Sequence, residues 1–227
     1  MIRNLLIDYD NTLHDSNSKF AAKLEGIFGL SGKELWNLYF FKIHRGIVHK
    51  RFPERHDDVE LHGELIFEYL GRPYDASTAK LFLESYREAR ESTWVKPSFF
   101  PDTFTFLNRV KEKGYKICLS TGEYVREKAQ ALERHGSKGY FDYLFEEDDI
   151  GYMKTEPDYY RVILRRLNSE PGETVSIGDN LISDIAAPKA VGIQTIWVNR
   201  DEEEIPNDVK LKPSRVVRDL IEALNHL

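Results

Sequence analysis

Three short apolar runs, each ending abruptly in a polar turn, constrain this chain more than any other feature. Asn4–Ile7 runs into Asp8, Lys116–Leu119 into Ser120, and Val175–Ile177 into Gly178 and Asp179. A fourth run, Ile193–Val198, follows Gly192. Near-continuous apolar strands belong to parallel sheets, which are covered on both faces. Helical patterns with clear ends lie between them. Phe104, Leu107 and Val110 recur at helical spacing before Gly114. A second helix opens at Thr155 with Pro157 just inside it, and carries Ile163 and Leu167. Glu156 and Asp158 suit the positive end of that helix. Strands alternating with helices of this length predict an α/β fold, a doubly wound, Rossmann-like parallel sheet.

Residues 16–96 read differently. Phe20, Leu24, Ile27 and Phe28 form one amphipathic stripe; Ser31 and Glu34 make a capping box before Leu35, Leu38 and Tyr39. A third helix spans Val59 to Leu70, and a fourth carries Phe82, Tyr86 and Ala89. No strand pattern interrupts them. The expected organisation is a core of residues 1–15 and 97–227 with a helical cap, 16–96, inserted between its first two strands. His14–Ser18 and Trp94–Pro97 would be the connectors.

Charge and composition narrow the function classes. With 32 basic and 38 acidic residues the net charge is −6, which speaks against a nucleic-acid partner. A small phosphorylated ligand needs only a few local positive groups. No apolar run approaches the ~20 residues of a membrane span, and an aspartate at position 8 would interrupt a signal sequence. Cys118 is the single cysteine, so no internal disulfide forms and a reducing cytoplasm is expected. Nothing in the sequence specifies an oligomeric state.

In open α/β sheets, ligands sit beyond the carboxyl ends of the strands. Asp8, Asp10, Ser120, Asp179 and Asp184 should therefore converge on one crevice. Several carboxylates in one place repel unless a proton or cation intervenes. A hard divalent cation with oxygen ligands, magnesium by abundance, resolves the conflict. Such a cation beside a hydroxyl and a lysine receives phosphate well.

These residues resemble a family. Asp8-Tyr9-Asp10-Asn11-Thr12-Leu13 after a hydrophobic strand resembles the first motif of the haloacid-dehalogenase-like hydrolases. Ser120 after Ile117-Cys118-Leu119 is similar to their second, Lys154 followed by Pro157 to their third, and Gly178-Asp179-Asn180 with Asp184 to their fourth. The inserted helices are similar to the family's helical cap of the first type. The resemblance implies a phosphatase that forms a phospho-aspartate on Asp8. It implies Asp10 as the acid and base, and Ser120, Thr121 and Lys154 as binders of the phosphoryl oxygens. It implies Mg2+ held by the Asp8 carboxylate, the Asp10 carbonyl and Asp179, with Asp184 completing or orienting that shell. The expected partner is a small phosphorylated metabolite: phosphoglycolate, a sugar phosphate or a nucleoside monophosphate.

The alternatives are a phosphomutase, a 2-haloacid dehalogenase, or a binding module without turnover. A dehalogenase needs neither Asp10 nor Asp179, and both are present. Three positions depart from the common pattern: Thr121 where many relatives carry asparagine, Thr155 and Glu156 between Lys154 and Pro157, and Pro188 early in a helix. Other features take bland readings. The basic stretch Lys42–Arg55, with His44, Arg45, His49, Lys50 and Arg51, reads as a solvated face; Trp36, Tyr39, Phe40 and Phe41 read as cap packing. His14 reads as part of a connector and Cys118 as a buried strand residue rather than a nucleophile.

Overall fold

The computed structural model describes residues 1–55, 58–204 and 207–227; the side chains of His49 and Pro53 fall outside the description, so the basic stretch is described without His49. The chain divides into two compact units, one of residues Met1–Asp15 and Pro97–Leu227 and one of Ser16–Lys96.

The first unit is built on a sheet of β1 (Asn4–Ile7), β2 (Lys116–Ser120), β3 (Tyr143–Phe145), β4 (Thr174–Gly178), β5 (Gln194–Val198) and β6 (Arg215–Val217). Their spatial order is β3-β2-β1-β4-β5-β6, and every neighbouring pair is parallel. The two outermost strands were not expected. Each has three residues, two of them at least partly exposed, so neither produces a long apolar run. The four inner strands follow the sequence pattern because alternate side chains enter cores on opposite faces. Leu5, Ile7, Ile117, Leu119, Val175 and Ile177 pack with the helices Thr103–Glu112 and Val125–Gly136. Leu6 and Cys118 pack with Tyr159, Tyr160 and Ile163 of the helix Pro157–Leu167. Cys118 is fully buried, and burial pushes its thiol up to about 12, which keeps it inert.

Strand order reverses direction at β1: the chain crosses from β1 to β2 on one side and later to β4 on the other. A crevice opens at such a switch point, beyond the strands' carboxyl ends. Ile7, Leu119 and Ile177 lie side by side there, so Asp8, Ser120 and Gly178 leave the sheet at one level. That register brings the three motifs together.

The second unit contains helices and no strand among its described residues. Ser16–Leu24, Gly32–Asn37, Val59–Tyr69 and Ala76–Val95 are its main α-helices. The Ser31–Glu34 capping box forms in both directions, and Asp58 and Asp75 cap the third and fourth helices through Leu61 N and Thr78 N. Beyond Asn37 the chain continues as a wide, π-helical stretch, Leu38–Val48, which periodicity did not foretell. Phe20, Trp36 and Phe40 stack in series at 4.1 and 5.1 Å. Phe41 corrects the packing expectation: it is 47% exposed. In the basic stretch, Lys42, Lys50 and Arg51 are exposed, while Arg45 lies 4.0 Å over Phe40. The connectors are shorter than expected. Ser16 already starts a helix, and Trp94 belongs to the last turns of another that ends at Val95.

Candidate active site

The loop after β1 folds back on itself. Leu13 N and His14 N both donate to the Tyr9 carbonyl at 3.0 Å, and Asn11 N donates to the His14 carbonyl at 2.7 Å. Asn11 takes φ +56°, a left-handed conformation that asparagine tolerates better than most residues. Tyr9 is buried and anchors the loop, stacked on the His14 ring at 5.2 Å with Phe99 at its edge. His14 is thus a packing element beneath the site. Arg200 reaches the same loop from beyond β5, donating to the Thr12 carbonyl at 2.8 Å while paired with Asp102.

Asp8, Asp179 and Asp184 converge as the sheet register demands. One carboxylate oxygen from each lies within 4.8 Å of the others, the spacing of a cation site. Asp184 reaches it from the π-helical segment Leu181–Ala186, whose first amides are capped by Asn180 Oδ1 at 2.9 and 3.2 Å. Its Oδ2 accepts from Asn180 N at 3.0 Å. Gly178 is required here for space. A Cβ would stand 2.2 Å from Asp184 Cγ, so any side chain would displace the carboxylate. The Asp179 carbonyl is fixed by Trp197 Nε1 at 2.8 Å.

Lys154 Nζ donates to Asp8 Oδ1 and pairs with Asp184 Oδ1 at 2.7 Å, its side chain 6% exposed. Burial opposes its charge, but Asp184 and Asp8 outweigh burial and hold the ammonium well above the ordinary lysine value. Asp8 shifts the other way. Burial raises it, Lys154 opposes the rise, and Asp184 and Asp10 add to it, leaving its carboxyl at about 7. The two directions are consistent because one ammonium serves two carboxylates. A divalent cation suits a site that gathers three carboxylates in this way.

Ser120 and Thr121 are buried at the end of β2. Tyr159 Oη lies 3.2 Å from the Phe145 carbonyl, to which it donates, and 3.1 Å from Ser120 Oγ, from which it then accepts. Burial, with the Lys154 charge opposing, keeps the Tyr159 hydroxyl protonated. Glu147 Oε1 accepts from Lys154 N at 2.7 Å and sets the backbone of the lysine turn.

The structure therefore brings together Asp8, Lys154, Asp179 and Asp184 around one point. Asp184 stands among the cluster carboxylates themselves, not only behind them. The Asp10 carboxylate lies outside the cluster and accepts from Lys128 Nζ at 2.8 Å. Sequence reasoning missed Lys128 and Tyr159. Lys128 did leave a signal: it occupies the apolar stripe of its helix with Val125, Ala129 and Leu132, where a lysine requires a buried partner.

A profile of haloacid dehalogenase-like hydrolases matches residues 2–192. The chain belongs to that family. The hydrolase is 25% identical over 239 residues to the glyceraldehyde 3-phosphate phosphatase of Methanopyrus kandleri, covering 99% of each chain. Its fold is that of the HAD-hydrolase YfnB from Bacillus subtilis, crystallised with bound magnesium, at TM-score 0.76 and 24% identity over 100% of this chain and 98% of that one. The L-2-haloacid dehalogenase RSc1362 superposes equally well, at TM-score 0.76 and 22% identity over 99% and 98%. Family membership makes the chain a hydrolase on a six-stranded, parallel, Rossmann-like α/β core. No helix among the described residues is long and apolar enough to cross a membrane.

Proposed function

We propose that this hydrolase is a magnesium-dependent phosphatase that cleaves small phosphate monoesters through a phospho-aspartate on Asp8. The observation that carries this reading is the pairing of a three-carboxylate cation site with a separate carboxylate, Asp10, held apart from it. Displacement of halide from carbon uses neither feature.

Magnesium bound by Asp8, Asp179 and Asp184, with the Asp10 carbonyl, would supply positive charge beside the phosphoryl oxygens. The remaining work belongs to the chain. Asp8 attacks phosphorus in line with the leaving oxygen, and Asp10 protonates that oxygen as it departs. Asp10 then takes a proton from the water that cleaves the acyl phosphate. Lys154 and the hydroxyls of Ser120 and Thr121 bind the transferring oxygens, where charge develops. Ser120 must turn from Tyr159 to do so. The helical unit is assigned the role of a cap that selects the substrate, in the reducing cytoplasm that a lone buried thiol suits. The kandleri relative makes triose phosphates the first esters to try.

A panel of phosphorylated metabolites assayed for free phosphate with and without magnesium tests the reading. Magnesium-dependent release is expected, and Asp8→Asn should abolish it. Chloride release from 2-chloropropionate without phosphate release would favour the dehalogenase; isomerised sugar phosphate would favour a mutase. Wild-type turnover in Asp8→Asn would refute the nucleophile assignment.

A further inference from the structure

Lys128 stands where a helix ordinarily presents an apolar side chain. Its neighbours on the stripe are Val125, Ala129 and Leu132, and its own side chain is 7% exposed. Burying an ammonium costs several kcal/mol unless it is paired, and Lys128 is paired twice. Its Nζ donates to Asp10 Oδ2 at 2.8 Å and to Thr121 Oγ1 at 2.9 Å, and it sits 5.3 Å from the centre of the Tyr9 ring. The lysine therefore spans two of the motif loops, one after β1 and one after β2. Thr121 completes the arrangement, since its hydroxyl can accept from an ammonium.

This contact settles where the Asp10 carboxylate goes. It neighbours a cluster of three other carboxylates, and a cation arriving at that cluster would attract a fourth. Lys128 opposes that pull with a charge-assisted hydrogen bond. The ammonium has only donors, so Oδ2 must remain an acceptor, and any proton on Asp10 resides on Oδ1. We infer that Lys128 is a positioning residue that keeps the Asp10 carboxylate off the cation and presents Oδ1 for proton transfer.

The inference rests on the phosphatase reading and specifies its proton path. In the first half, the bond between phosphorus and the leaving oxygen breaks as the Oδ1 proton passes to that oxygen, and Asp8 gains the phosphoryl group. In the second, water attacks phosphorus, its proton passes to Oδ1, and the bond to Asp8 breaks. Ester and water become alcohol and phosphate, and Asp10 ends protonated as it began.

Leaving-group dependence tests this directly. An alkyl phosphate needs its leaving oxygen protonated, whereas p-nitrophenyl phosphate releases a stable phenolate that does not. With both esters, kcat/KM reports the first half-reaction. In Lys128→Met, kcat/KM for the alkyl ester should fall by about a hundredfold, the lower range for loss of general acid catalysis, and that for the aryl ester by less than about tenfold. Lys128→Arg should recover most of the alkyl activity and keep magnesium affinity within about threefold of wild type, whereas Lys128→Met, which releases the Asp10 carboxylate toward the cation, should bind magnesium more tightly by more than about threefold. Lys128→Gln, which keeps a donor without the charge, is measured in parallel, so that a folding failure of the methionine variant does not remove the comparison. Equal losses for the two esters in a folded variant, or no loss for either, would overturn the inference and leave the phosphatase reading standing. Wild-type protein that hydrolyses neither ester would overturn both.

Discussion

Magnesium affinity should fall steeply with acidification, and the structure gives the size of the fall. Cation binding requires Asp8 ionised, and burial, only partly offset by Lys154, leaves its carboxyl at about 7 in the metal-free protein. Protons and the cation then compete for the same oxygen. At pH 8 about nine-tenths of the protein has Asp8 ready; at pH 5 only about a hundredth does. The apparent Kd for magnesium should therefore rise by about two orders of magnitude, or roughly 3 kcal/mol, between those values. Stability of the metal-free protein carries the complementary sign. The folded value lies above that of the unfolded chain, so this group's contribution is intact below about pH 4 and is lost as pH rises to about 7. The full change is at most about 4 kcal/mol. Isothermal titration with magnesium at pH 5, 6, 7 and 8, paired with urea denaturation of the chelated protein, measures both. A Kd constant within about threefold across that range would refute the claim that burial holds the Asp8 carboxyl near neutrality.

Two further perturbations probe the same cluster. Gly178→Ala places a methyl group 2.2 Å from Asp184 Cγ, and should cost about 1–3 kcal/mol of stability together with a weaker magnesium isotherm; wild-type values for both would show that Asp184 has room to move. Lys154→Met leaves Asp8 and Asp184 without their common partner. It should destabilise the chelated protein by about 3–5 kcal/mol in urea and lower turnover by about 10²–10³, and a loss below about 1 kcal/mol would contradict the pairing.

Much of this protein could be read from its sequence. The four inner strands declared themselves because each is buried on both faces, which writes an unbroken apolar run and a sharp polar end. The same ends named Asp8, Ser120, Gly178 and Asp179 as neighbours, since parallel strands in one sheet terminate on one edge. Local chemistry also sufficed for the Ser31–Glu34 cap, where donor and acceptor lie three residues apart. The three-residue edge strands escaped because half-exposed residues carry no such pattern.

Other facts belong to the tertiary structure alone. That Lys154 lies between Asp8 and Asp184, that Tyr159 holds the Ser120 hydroxyl, and that Asp10 is drawn to Lys128 instead of the acidic cluster all depend on side chains far apart in the chain. So does the rise of Asp8 toward neutrality, which reflects its burial, opposed by Lys154 and reinforced by Asp184 and Asp10. Sequence fixes the inventory of charges and the strand ends that carry them, because those follow from local pattern. Pairing among charges is decided by distances of a few ångströms, and only the packed helices and sheet set those.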